Sequence, residues 1–230
     1  MKIILREKNA EECGFFFIVE ILAENELIYH KKKHRFFTPK LCYTEHMRKI
    51  TIITGASSGM GAEFARQITR DTESTELWLF ARNKEKLDAI KAEIETEGDS
   101  PKIKCVPMNL AGKEGVNLFK TFLATEKISG GFEIDMLVNN AGFGTYGEFS
   151  ETPLDRELEM IDLNCTALTG ICGSVLPYLH ENSSIINVAS LAAFLPLGNF
   201  AVYAATKAFV LSFSVALAAE LTDKKIRVSA

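Results

Sequence analysis

Tyr203 and Lys207 stand four residues apart in the stretch YAATK. On an α-helix, positions i and i+4 share a face at about 6 Å, so a phenol and an ammonium at this offset can work as a pair. The same offset recurs on many solvated helices that carry no chemistry. What separates the two readings is the company the pair keeps elsewhere in the chain.

A second stretch, TGASSGMG from Thr54 to Gly61, spaces Gly55, Gly59 and Gly61 by four and then two residues. Glycines there permit a sharp turn and a close approach of backbone to a pyrophosphate, whose charge the amides and dipole of a following helix favour. The stretch follows an apolar run and precedes an amphipathic one, which favours dinucleotide binding over a mere tight connection. After the second apolar run, LFARN offers Arg82 where a carboxylate would meet adenosine ribose hydroxyls. A guanidinium clamps a phosphate instead, so NADP(H) is favoured over NAD(H), with Ser57 as a helper. The rival reading is an exposed arginine opening a helix.

The elements that must position these residues alternate in type from Arg48 onward. Apolar runs fall at ITIIT, LWLFA, IKCVPM, MLVNN, SIINVA and IRVSA, each short, rich in β-branched residues and nearly continuous in hydrophobicity. Strands buried on both faces read this way. Between them, Met60, Phe64 and Ile68 and then Leu87, Ile90 and Ile94 keep helical spacing, the latter after Asn83 as an N-cap. Thr152, Pro153 and Asp155 open another helix with a cap, a first-turn proline and an acid. Such alternation predicts an α/β, Rossmann-like, doubly wound parallel sheet with helices on both faces and ligands at the carboxyl ends of its strands.

With 230 residues, 47% hydrophobic and 24% charged, the chain can bury one ordinary α/β domain. A net charge of -4 provides no field for a nucleic-acid backbone, and none is expected as a partner. The five cysteines are odd in number and widely spaced, which fits a reducing, cytoplasmic setting. No run of eighteen apolar residues suggests a membrane span, and no signal-peptide pattern opens the chain. Residues 1–46 form a separate N-terminal extension with the apolar GFFFIVEIL, the basic KKKHR, and His30 and His34 four apart. A membrane-surface or partner-binding arm and a metal site are the functional readings of this segment. An upstream addition before a natural start at Met47 is the plainer one, and no metal is expected.

From Met47 to Ala230 the chain resembles the short-chain dehydrogenase/reductase family. The resemblance rests on TGASSGMG, on NNAG (Asn139 to Gly142), on Asn164 in DLN, on Ser190 in NVAS, and on YAATK thirteen residues after Ser190. It implies that Tyr203 is the general acid or base of hydride transfer at a small-molecule carbonyl or alcohol. An ordinary phenol, with a pKa near 10, is a poor base at neutral pH, and the Lys207 charge would lower that value. Lys207 would also hold the nicotinamide ribose. Ser190 would donate to the substrate carbonyl, and Asn164 would hold a water leading from Lys207 to solvent. Cofactor contacts are carried over to Gly55, Ser57, Ser58, Gly59, Met60, Gly61, Arg82, Asn109, Leu110, Asn140, Ala141, Gly142, Tyr203 and Lys207.

Two departures from the family stand out. Asn109 occupies the place of an aspartate that meets the adenine amino group, and its amide oxygen could accept the same bond. The family continues past the IRVSA strand with a substrate loop and a seventh strand, whereas this sequence ends at Ala230, so a fold lacking the last strand and a truncated enzyme are expected. The leading functional expectation is an NADP(H)-dependent reductase of an apolar or acyl-bearing carbonyl. Its rivals are a noncatalytic dinucleotide-binding protein and an inactive fragment. The helix from Tyr203 to Leu221 is apolar almost all round, which predicts burial and, by family resemblance, a homodimer or homotetramer.

Overall fold

A computed structural model describes residues 47–96, 98 and 100–230. The extension of residues 1–46, with His30 and His34, lies outside the described residues. The chain runs β1 (Arg48–Thr54), α1 (Gly59–Asp71), β2 (Glu76–Ala81), α2 (Lys84–Glu95), β3 (Lys102–Pro107), α3 (Gly112–Ser129) and β4 (Phe132–Asn139). It continues through α4 (Leu154–Ile161), a π-helical turn (Asp162–Ala167), α5 (Leu168–Val175), β5 (Leu179–Asn187), α6 (Ala201–Leu221) and β6 (Arg227–Ser229). The six strands form one parallel sheet in the order β3-β2-β1-β4-β5-β6, the expected doubly wound fold. Strand order reverses between β1 and β4, and a crevice opens there at the carboxyl ends.

Side-chain alternation divides each strand between two cores. Ile50 and Ile52 of β1 and Trp78 and Phe80 of β2 pack with Phe119 of α3, Ile171 of α5 and Val210 of α6. Ile53, Leu77 and Leu79 point the other way, against Ala62 and Ala65 of α1 and Leu87 and Ile90 of α2. Because both faces are covered, the strands show no polar alternation. Each fully buried large side chain contributes roughly 1.5–3 kcal/mol of transfer free energy.

Several local expectations change. Asn83 does cap α2, accepting the Lys86 amide at 2.7 Å. Thr152 does not cap α4: its hydroxyl donates back to the Glu148 carbonyl at 3.0 Å, and Pro153 takes the cap position. In α1 the small Ala62 and Ala65 face the sheet and allow close approach, while Met60 is 62% exposed at the helix start. Strand β5 begins earlier than its apolar run, at Leu179, and buried Ser183 within it is fully satisfied. Its hydroxyl accepts from the His180 amide at 2.9 Å and donates to the Ile134 carbonyl at 2.8 Å.

The apolar helices are not buried all round. Only one face of α6 meets the sheet, and Phe209 and Val215 stay exposed, as do Leu154, Leu158 and Ile161 of α4. The stretches Leu154–Tyr178 and Ala201–Lys224 are long and apolar enough to cross a membrane by length and composition. Polar residues such as Asn164 and Lys207 interrupt both stretches, so neither is an unbroken run of eighteen apolar residues. The same stretches carry Leu168, Ile171, Val175, Val210, Leu217 and Leu221 into the core beside the sheet.

Candidate active site

The glycine turn is built by ties between β1 and β4. Buried Thr54 ends β1, and its hydroxyl oxygen accepts the amides of Asn140 at 3.0 Å and Ala141 at 2.9 Å. In return the Asn140 side-chain nitrogen donates to the carbonyls of Thr54 at 3.0 Å and Gly55 at 3.3 Å. Asn140 thus joins the two central strands, as expected. Gly55 turns with φ +68°, and a Cβ there would lie 2.8 Å from the Asn140 nitrogen.

The turn leaves a cradle at the start of α1. Gly59 has φ +55°, and a Cβ placed on it meets nothing within 4 Å. Ser58 occupies the N-cap without a side-chain cap bond, so the first-turn amides lack intrahelical partners. Free amides and an open positive helix end fit the pyrophosphate of a dinucleotide. Gly61 serves differently: a Cβ would fall 2.2 Å from the Gly55 carbonyl oxygen, so this glycine lets the turn close and does not line the cleft.

A continuous cleft of about 630 Å³ runs from this cradle to the start of α6. Every other residue carried over as a cofactor contact lines it, from Ser57 and Met60 through Asn140, Ala141 and Gly142 to Tyr203 and Lys207. Arg82 is exposed on its wall, joined there by Lys86, a second cation that the sequence reading passed over. Leu110 closes the wall beside Asn109, whose side-chain oxygen accepts the Ala111 amide at 3.3 Å. One lone pair of that oxygen is therefore already engaged.

At the other end, α6 presents the phenol and the ammonium one turn apart. The Lys207 nitrogen lies 5.9 Å from the centroid of the Tyr203 ring and donates to the Val188 carbonyl at 2.6 Å. Burial pushes the Lys207 ammonium below the ordinary lysine value, and nearby Cys165 works in the opposite direction. Tyr203 itself rests against the backbone of Gly144, where a Cβ would come within 2.8 Å of its ring. Gly144 was missed in the sequence, although it lies only two residues beyond the NNAG stretch. So were Phe143 and Arg156, whose guanidinium stacks 3.8 Å over the Phe143 ring at the cleft wall.

Ser190 and Asn164 flank the cleft rather than line it. The Ser190 oxygen caps a short turn by accepting the Ala192 amide at 3.2 Å, and its own proton remains available to donate. Asn164 sits within the π-helical turn and spends its side chain on protein groups. Its oxygen accepts the Phe143 amide at 3.0 Å, and its nitrogen donates to the Phe143 carbonyl at 2.9 Å and to Thr206 Oγ1 at 3.1 Å. Both amide protons are committed, so the arrangement makes Asn164 a clamp on the segment after β4, with one oxygen lone pair left for a water.

A doubly wound sheet with a glycine cradle and a cleft across its switch point is the architecture of a dinucleotide-binding domain. Residues 49–230 match the model of the short chain dehydrogenase family, and the chain belongs to that family. It is 31% identical over 182 residues to a very-long-chain 3-oxoacyl-CoA reductase of Pyrenophora tritici-repentis, covering 77% of this chain and 52% of that protein. The chain thus spans about half the length of the first curated relatives it matches. Among solved structures, a short-chain dehydrogenase from Sphingobium yanoikuyae in complex with NADPH superposes with TM-score 0.67 at 32% identity, over 79% of this chain and 69% of that one. A bulky-bulky ketone specific alcohol dehydrogenase from Comamonas testosteroni gives TM-score 0.67 at 30% identity, over 78% and 70%.

Proposed function

We propose that the chain carries the hydride-transfer site of an NADP(H)-dependent reductase acting on ketone, aldehyde or acyl-type carbonyls, with Tyr203 as the proton donor. The observation that carries this reading is the opening of Tyr203 and Lys207 onto the cleft that begins at the glycine cradle. The dinucleotide, when bound, supplies or accepts the hydride. Gly55, Ser57, Ser58, Gly59 and Met60 would hold its pyrophosphate, Arg82 and Lys86 an adenosine phosphate, and Asn109 and Leu110 the adenine. Ser190 would donate to the substrate oxygen while Tyr203 delivers its proton there. The Lys207 ammonium, steadied on Val188, stabilises the phenolate left behind. In the reverse direction the same phenolate takes the proton back.

An apolar chain on the carbonyl is supported by the exposed Leu191, Phe194, Leu195 and Leu197 after Ser190 and by the similarity to a very-long-chain 3-oxoacyl-CoA reductase and a bulky-bulky ketone specific alcohol dehydrogenase. The uncovered apolar faces of α4 and α6 support a homodimer or homotetramer. Free thiols at Cys105, Cys165 and Cys172 fit the cytoplasm. The direct test is Tyr203→Phe in the full chain, assayed by NADPH consumption against a panel of ketones and aldehydes. Loss of at least about a hundredfold in kcat is expected, with NADPH binding retained. Turnover equal to the parent's would refute proton delivery by Tyr203. A parent that binds NADPH and turns over no member of the panel would favour the noncatalytic reading.

A further inference from the structure

The segment after β4, residues 142–147, passes the Tyr203 ring and is pinned on both sides of it. Upstream, Asn164 holds both backbone polar groups of Phe143. Downstream, the Gly147 amide donates to the Asn199 carbonyl at 3.0 Å, and the Asn199 side-chain nitrogen donates to the Tyr146 hydroxyl at 3.2 Å. Between the pins lies Gly144, whose backbone is the wall against which the phenol ring rests.

The downstream pin depends on an uncommon backbone. Asn199 has φ +63°, a left-handed conformation that asparagine tolerates better than most other side chains. It delivers the chain to Phe200, the residue that caps α6. The Phe200 ring meets Tyr146 edge-on at 5.0 Å and lies 5.7 Å from the Tyr203 ring. A row of three rings therefore leads from the loop to the phenol, and Asn199 closes it with its backbone and its side chain.

We propose that Asn199 is a positioning residue for Tyr203: it locks segment 142–147 to the start of α6 and so fixes the slot that holds the phenol. The inference rests on the reading of Tyr203 as proton donor, for which misplacement by about 1 Å can cost a hundredfold in rate. The pin is exposed and made of two hydrogen bonds, so losing one while straining the backbone at residue 199 releases it.

The test compares Asn199→Ala, Asn199→Gly and Tyr146→Phe in the full chain, with the carbonyl panel and with ring-labelled tyrosine followed by NMR. Tyr203→Phe assigns the Tyr203 signal. Asn199→Ala should shift that signal and lower kcat about tenfold, leaving NADPH affinity unchanged. Asn199→Gly takes the left-handed turn freely and keeps the Gly147 bond, so it should recover most of the loss. Tyr146→Phe loses the same side-chain bond without straining the backbone and should match the glycine variant. An unmoved Tyr203 signal in Asn199→Ala, or a glycine variant no better than the alanine one, overturns the proposal. Should Asn199→Ala fail to fold, Asn199→Ser, which loses the amide donor and meets the same left-handed strain, takes its place, and a parental signal and rate there overturn the proposal. Parental turnover in Tyr203→Phe would instead sink the reading of the site, which keeps the two failures apart.

Discussion

Gly144 offers the sharpest probe of the phenol slot. Replacing it by alanine plants a methyl 2.8, 3.1 and 3.2 Å from Cδ2, Cε2 and Cγ of Tyr203. Carbon atoms in contact settle at about 3.5–4.0 Å, so the ring must retreat by about 0.7 Å or more. Its φ lies outside the left-handed region, so the substitution adds contact without adding backbone strain. Retreat is constrained by Phe200 on one side and by helix α6, whose Lys207 is tethered to Val188. A shift approaching 1 Å at the proton donor should lower kcat roughly 10- to 100-fold. NADPH oxidation with the carbonyl panel reads kcat, cofactor fluorescence reads affinity, and circular dichroism reads folding. Affinity should stay near the parent's, because the glycine cradle lies at the opposite end of the cleft. A folded Gly144→Ala variant that turns over within about twofold of the parent would refute a rigid slot in which position sets rate.

Three other changes probe the cradle, the cofactor preference and the far end of the sheet. Gly61→Ala forces a methyl onto the Gly55 carbonyl oxygen at 2.2 Å and should cost about 1–3 kcal/mol or more, read as a lower melting temperature and weaker NADPH binding. Arg82→Ala should raise the KM for NADPH roughly 10- to 100-fold with little change for NADH; equal changes for both would show that Arg82 does not read the adenosine phosphate. Burial alone would raise the Glu76 carboxyl, but Trp78, Arg48 and Lys102 together hold it below its ordinary value of 4.5. The resulting stability is present above that value and lost as pH falls through the lower folded-state value. Denaturant titrations should therefore show Glu76→Gln less stable by about 1–2 kcal/mol at pH 7, with the gap closing in acid.

The strands were legible because burial on both faces leaves continuous β-branched runs, and Asn83 was legible because a cap acts within three residues. Local signals failed where a distant partner decided the outcome. The clamp that Asn164 sets on Phe143, 21 residues away, was not visible in the sequence, because only the fold brings the two together. Met60 kept the spacing of a core residue but sits at a helix start that faces the cleft, with the alanines taking the sheet side. Lys86 and Arg156 have unremarkable neighbours in sequence, and these two and Gly144 became informative only when five strand ends met around one cleft. Thr152 shows a related limit, since the carbonyl of Glu148, one turn back, competes for the hydroxyl that a cap requires.

The short bond from Lys207 to the Val188 carbonyl references the ammonium to the end of strand β5 and not to the connection that follows it. Between Ser190 and Asn199 the backbone carries exposed leucines and a phenylalanine with neither catalytic atom among them. On the proposed mechanism, proton chemistry would thereby be insulated from the stretch proposed to meet the substrate. The exposed side chains of Leu191, Phe194, Leu195 and Leu197 could therefore be exchanged in the laboratory while the bond from Lys207 to the end of β5 stays in place.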